Sequence, residues 1–271
     1  MDDVNCYPTY CINLKERTDR KKNAQNQFKQ INIEPGDVIF LDFNKHKRGG
    51  LYGCYDSHMK VWNDFYQNHK DKELCIVFED DFEVTENSIY YLKKAISFIE
   101  KNGNEIDILF LHNKFIEYND NHYKKDINNA YFTRGYGFLT HVYIVTRKYI
   151  KSILYKNNNR LPKPNGIHFD IDINMNAANS ILYSENIYYC KRPSFVQKEF
   201  YSDNYSNIFD EIIKKKYGNE FMFTVAFNMC KNSKLLLKND EKNKKMMMLI
   251  HNLYTKKISN IMNNFMKFYE L

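Results

Sequence analysis

Glu79, Asp80 and Asp81 follow one another directly after the apolar run Leu74-Cys75-Ile76-Val77-Phe78. A short run of β-branched and aromatic residues reads as a buried strand, so the three carboxylates fall where that strand leaves its sheet. This is the edge at which open α/β sheets bind their ligands. Adjacent negative charges repel unless a cation or hydrogen-bond donors balance them, and hard divalent ions are the usual partners of clustered carboxylate oxygens. The triplet is a metal site or, on the plainer reading, an acidic turn facing water. On a continuing strand Glu79 and Asp81 would project to one side and Asp80 to the other. A second acidic element, Asp170-Ile171-Asp172, offers two more carboxylates. One acidic group holding a metal, with another carboxylate free to accept a proton, is what displacement at a sugar carbon bearing a diphosphate requires.

Two more clusters carry chemical potential. Asn13 closes a strand-like run, and Arg17 and Arg20 follow on a segment rich in helix formers. Three apart, the arginines would share a helical face and could clamp a diphosphate, aided by backbone donors of a helix start near Thr18. They could equally be solvated surface charges. In Gly53-Cys54-Tyr55-Asp56-Ser57-His58, the adjacent Ser57 and His58 would point about 100° apart on a helix and make no nucleophile and base pair. Gly53 instead permits close backbone approach, while Ser57 and His58 bind a ligand or tie the helix to the site. The six cysteines, at positions 6, 11, 54, 75, 190 and 230, include no CxxC and show no pairing with histidine at zinc-ligand spacing.

These residues need a scaffold. Strands are expected over 7–14, 37–41, 74–78 and 105–111, with helices over 18–30, a polar segment rich in helix formers, and over 52–66 and 88–101, from apolar residues at steps of three and four. That alternation argues for parallel strands joined by crossover helices, a nucleotide-binding type of architecture. Further on, 140–146 and 187–190 read as strands, 147–155 as a helix, and 119–129 and 157–166 as loops. From about residue 206 the chain reads as wholly helical. Its last stretch carries a stripe running from Met247 through Ile250, Tyr254 and Ile258 to Phe268. The stripe suits packing on the body of the protein, or alternatively a membrane surface or a homodimer contact.

The composition is that of a folded globular chain: 271 residues, 43% hydrophobic and 27% charged. Abundant Asn, Lys and Ile resemble the coding bias of an AT-rich genome, so the net charge of +7 argues only weakly for nucleic acid. It suits an anionic small molecule. No run approaches the roughly 20 apolar residues of a membrane span, and no secretory start is visible. With cysteines in strand-like runs, a reducing cytoplasmic location is expected.

In order and approximate spacing these motifs resemble glycosyltransferase family 25, the lipooligosaccharide and procollagen galactosyltransferase family. The matching pieces are Ile12-Asn13-Leu14 with Arg17 and Arg20, Gly53-Cys54 with Ser57, His58 and Trp62, and Val77-Phe78-Glu79-Asp80-Asp81. Weaker matches are Thr140 to Thr146 and Asp170 to Asp172, so the likeness covers about residues 8 to 200. It implies a GT-A type fold with a mixed, mainly parallel sheet over residues 1–205, and a helical C-terminal extension over 206–271. It also implies a UDP-sugar donor, with UDP-galactose favoured, and Mn²⁺ or Mg²⁺ at Asp81, Glu79 and Asp80. Donor contacts would come from Asn13, Arg17, Arg20, Ser57 and His58, with Asp172 or Asp170 as base of an inverting transfer. The acceptor would be a glycan, a lipooligosaccharide or a collagen-like hydroxylysine. One departure is that Arg48-Gly49-Gly50-Leu51-Tyr52 stands where the family carries an acidic residue before Gly-Cys. Two rivals are a metal-dependent phosphoesterase and a non-catalytic nucleotide-sugar-binding module with a degenerate transferase fold.

Overall fold

A computed structural model describes residues 4–46, 50–112, 115–117, 129–137, 140–156, 186–192 and 194–198. Its strands are β1 (Thr9–Leu14), β2 (Val38–Phe43), β3 (Leu74–Glu79), β4 (Phe82–Val84), β5 (Ile108–Phe110), β6 (Phe115–Glu117), β7 (Phe132–Gly137), β8 (Val142–Thr146), β9 (Ile187–Cys190) and β10 (Phe195–Gln197). The helices are α1 (Thr18–Gln30), α2 (Gly50–Asn68), α3 (Ser88–Asn102) and α4 (Arg147–Lys156). The proposed C-terminal extension, the loop over 157–166 and both Asp170 and Asp172 lie outside the described residues.

An eight-stranded sheet runs in the order β2-β1-β3-β8-β5-β9-β7-β6. β1 pairs in parallel with β2 and β3, and β5 with β9, whereas β8 inserts antiparallel between β3 and β5. β7 is antiparallel to both its neighbours, so only β8 and β7 run against the other six strands. The alternation pointed to parallel strands, and the sheet is mainly parallel with β7 and β8 reversed, the mixed α/β arrangement implied by the family resemblance. The chain passes from β1 through α1 to β2, then crosses back through α2 to β3 on the other side of β1. The strand order thus reverses at β1 and opens a crevice beyond the carboxyl ends of β1 and β3.

Period-two alternation divides the buried side chains between two faces. Cys11, Ile76, Phe78, Ile144, Leu109 and Tyr188 meet α1 and α3 on one face. Tyr10, Val77, Tyr143, Val145, Phe110 and Tyr189 meet α2 and α4 on the other. Helix α1 ends in a left-handed Asn32 (φ 57°), with Asn32 N–H donating to Lys29 O and Ile33 N–H to Phe28 O. These are the two bonds of a Schellman cap. The far end of α2 is closed by Arg147, whose guanidinium donates to the carbonyls of Phe65, Tyr66, His69 and Lys72. Its charge also lies 4.6 Å from the Phe65 ring centre. One residue at the start of α4 thus meets two carbonyls in the last turn of α2 and two in the segment that follows it.

Four strands escaped sequence reading: β4, β6 and β10, of three residues each, and the six-residue β7. β4 pairs antiparallel with β10 in a separate ribbon, with Gln197 opposite Phe82. The ribbon brings Gln197 and Lys198 back to the acidic triplet.

Candidate functional site

The register places the candidate residues. Ile12 of β1 lies beside Glu79 of β3, and Asn13 beside Asp42 of β2, so Asn13 and the acidic triplet share the crevice edge. β3 ends at Glu79, and the chain turns before β4 begins at Phe82. The expected alternation beyond the strand therefore fails: Glu79 points toward α2, while Asp80 and Asp81 both approach Arg20 of α1. A turn does not preserve the period of two that sends alternate residues to opposite faces.

Glu79 accepts a hydrogen bond from the Thr140 hydroxyl and faces His58 Nε2 at 3.2 Å. Burial alone would raise its carboxyl, but the His58 and Thr140 hydrogen bonds hold it below its ordinary value. His58 is fully buried, and its Nδ1 lies 2.9 Å from the Tyr143 hydroxyl, which also accepts the Trp62 indole N–H at 2.9 Å. Ser57 donates to the Gly53 carbonyl one turn earlier at 2.6 Å. A Cβ on Gly53 would stand 3.2 Å from His46 Cβ, the close approach for which glycine was expected there. His58 thus ties α2 to Glu79 of β3 and Tyr143 of β8, whereas the Ser57 bond stays within α2.

Asp80 accepts from Arg20 Nη1 at 3.1 Å, and the same nitrogen stands 4.0 Å from Asp81. Asp81 Oδ2 accepts from Gln197 Nε2 at 3.0 Å, whereas its Oδ1 is buried with no hydrogen-bond partner among the described residues. Burial pushes Asp80 up to about 6 despite Arg20. Burial and the Glu79 charge push Asp81 up to about 7 despite the bond from Gln197. Both carboxyls are thus held where the charged form is under-compensated. A divalent cation supplies the missing charge, and carboxylate oxygens are the donors that Mn²⁺ and Mg²⁺ prefer, so the pair fits such an ion.

Structure separates the two arginines. Arg20 is buried against the aspartates, while Arg17, in the N-cap position of α1, makes a two-nitrogen contact with Asp19 at 2.9–3.0 Å. Arg17 draws Asp19 down to about 2. On β1, Asn13 is buried and donates through Nδ2 to Asp42 and to Leu14 O, both at 2.8 Å, leaving Oδ1 with no hydrogen-bond partner among the described residues. Asp42 is also paired with Lys21 at 2.6 Å.

Sequence reasoning passed over Asp42, Gln197 and the buried pair His112 and His141, whose rings are tilted by 32° with centres 5.0 Å apart. Each becomes a neighbour of the site only through pairings between distant strands. One statement about the cysteines is corrected. Cys54 and His58 are four residues apart on α2, and with Glu79 they bring three ligand-type atoms within 4.8 Å of one another.

No family model and no curated protein matches the chain. Among solved structures, it is similar to a glycosyltransferase involved in the glycosylation of the major capsid of PBCV-1, at 10% identity and a TM-score of 0.37 over 60% of this chain and 72% of that one. It is also similar to A197 from STIV, at 10% identity and a TM-score of 0.40 over 74% of this chain and 98% of that one. At these values the likeness leaves the function to the chemistry of the site. No described helix is long and apolar enough to cross a membrane.

Proposed function

We infer that the chain is a metal-dependent glycosyltransferase that moves a hexose from a UDP-sugar to a hydroxyl acceptor by inverting displacement. The observation that carries this reading is the buried, unpartnered oxygen of Asp81 beside Asp80, at the point where strand order reverses and with Arg20 standing against both carboxylates. A Mn²⁺ or Mg²⁺ ion held by Asp81 and Asp80 would neutralise the diphosphate leaving group. Glu79, engaged by His58 and Thr140, ranks last of the three as ligand to that ion.

The remaining roles fall to the chain's own groups. Arg20 orients Asp80 and limits the repulsion between neighbouring carboxylates. Asn13 Oδ1 offers an acceptor to an N–H or O–H of the nucleoside, and Arg17 stands where the α1 N-terminus can meet phosphate. His58 positions α2 against the end of β3. Asp172 or Asp170 is the proposed base that takes the acceptor's hydroxyl proton as its oxygen attacks the anomeric carbon. Galactose as the transferred sugar, and a glycan, lipooligosaccharide or hydroxylysine acceptor, rest on the family 25 resemblance alone.

A second reading has one observation in its favour: Arg20 already neutralises part of the Asp80 charge. A chain so arranged could bind a nucleotide sugar without turning it over. UDP release from UDP-galactose with Mn²⁺, for wild type and Asp81→Ala, separates the two. Metal-dependent release that collapses in the variant supports the transferase. Equal rates remove Asp81 from the mechanism, and binding without release supports the non-catalytic module.

A further inference from the structure

The end of β3 serves two directions at once, and the second has its own chemistry. While Asp80 and Asp81 turn toward α1, Glu79 turns toward α2, where Cys54 Sγ, a His58 ring nitrogen and a Glu79 oxygen converge within 4.8 Å. We propose that these three residues form a second metal site, for a borderline-soft divalent ion of the zinc class, with Cys54 Sγ, His58 Nε2 and Glu79 Oε1 as ligands and water as the fourth.

The donor set separates this site from the aspartate pair. A thiolate and an imidazole select zinc-class ions, whereas carboxylates alone favour Mg²⁺ and Mn²⁺. Residues four apart on a helix lie on one face, so α2 presents Cys54 and His58 side by side. Tetrahedral zinc with bonds of about 2.0–2.1 Å to nitrogen and oxygen holds those two atoms about 3.3 Å apart. His58 Nε2 and Glu79 Oε1 already stand 3.2 Å apart. The thiol closes the remaining distance by side-chain rotation, and Cys54 is in no disulfide.

The surrounding contacts are those that orient metal ligands. His58 is fully buried, with Nδ1 on the Tyr143 hydroxyl, and Trp62 N–H fixes that hydroxyl in turn. A ligating histidine held through its other nitrogen has its ring plane set before the ion arrives. Thr140 donates to Glu79 Oε1 itself and so fixes the carboxylate at the ligating oxygen. Binding balances as follows: the Cys54 thiol gives its proton to solvent, and any hydrogen on Nε2 moves to Nδ1, where the Tyr143 oxygen accepts it. One proton leaves per ion bound.

The test titrates the full, chelator-stripped chain with Co²⁺. Expected are saturation at one equivalent, tetrahedral visible bands, and a near-ultraviolet sulfur-to-cobalt absorption that Zn²⁺ bleaches and excess Mg²⁺ does not. Cys54→Ser should abolish the sulfur band, Asp81→Asn should leave it, and Tyr143→Phe should keep the band while weakening binding about 10- to 100-fold. The Asp81→Asn arm keeps this outcome separate from the fate of the transferase reading. Should a variant fail to fold, the wild-type chain still decides: Zn²⁺ should slow alkylation of Cys54 about tenfold relative to the exposed Cys6, read by peptide mass. No sulfur band in wild type, a band that survives Cys54→Ser, or Cys54 alkylation indifferent to Zn²⁺ would overturn the proposal.

Discussion

Asp81→Asn should stabilise the metal-free protein while destroying its response to Mn²⁺. Asp81 titrates near 7 in the folded chain against an ordinary 3.8. At about 1.36 kcal/mol per pH unit, that gap, (7 − 3.8) × 1.36, sets a ceiling of roughly 4 kcal/mol on the cost of keeping Asp81 ionised above pH 7. The amide removes the charge but puts an N–H₂ group where the unpartnered Oδ1 lies, and an unsatisfied buried donor costs about 1–3 kcal/mol. The net expectation at pH 8 is a gain of about 1–3 kcal/mol, or about 2–12 °C in Tm for a chain of this size. The sign with pH follows from the raised value. As pH falls through about 7 toward 3.8, folded wild type takes up the proton before the unfolded chain does, so wild type gains stability and the advantage of the variant fades. Thermal unfolding of both proteins at pH 8 and pH 5, with chelator and then with Mn²⁺, provides the comparison. A variant less stable than wild type at pH 8 without metal, or a gain that persists undiminished at pH 5, refutes the reasoning.

Three further outcomes are expected. Arg20→Gln leaves Asp80 buried without its cation and should destabilise the metal-free protein by about 3 kcal/mol at pH 8, and by less at pH 5 where Asp80 is protonated, measured by urea unfolding. Arg147→Ala uncovers the carbonyls at the end of α2 and removes the contact with the Phe65 ring, so a loss of about 2–4 kcal/mol is expected in the same assay. Asn32→Gly should stabilise by up to about 1 kcal/mol because the left-handed conformation is easier for glycine, whereas Asn32→Val should destabilise.

How far the sequence could be read depended on the range of each interaction. β3 was legible because both its faces are buried and its residues are continuously apolar, and α1 was legible to both ends because helix formers fill it from Thr18 to Gln30. The carboxylates at the end of β3 were correctly expected at a sheet edge. Their division between two directions was not, because it depends on where the strand stops, and β3 stops at Glu79. Arg17 and Arg20 were expected on one helical face, but Arg17 caps α1 and holds Asp19 while Arg20 turns to Asp80. Which of them meets the aspartates was decided by the packing of α1 on β3, a distance of 60 residues in sequence. Gln197 reaches Asp81 across 116 residues through a ribbon too short to leave a periodic signal. The Cys54 and His58 pair did leave one, a spacing of four on a helix, but its third member, Glu79, belongs to a different element.

The central claim is that Asp80 and Asp81 hold a divalent ion that in turn holds a nucleotide diphosphate. A thermal-shift screen of UDP and UDP-sugars, with and without Mn²⁺, tests it most directly, since a ligand that binds only the folded state raises its stability in proportion to RT ln(1 + [L]/Kd). A UDP-dependent rise in Tm that requires Mn²⁺ and vanishes in Asp81→Ala is expected. A rise of equal size without metal, or one that survives in Asp81→Ala, would contradict the claim.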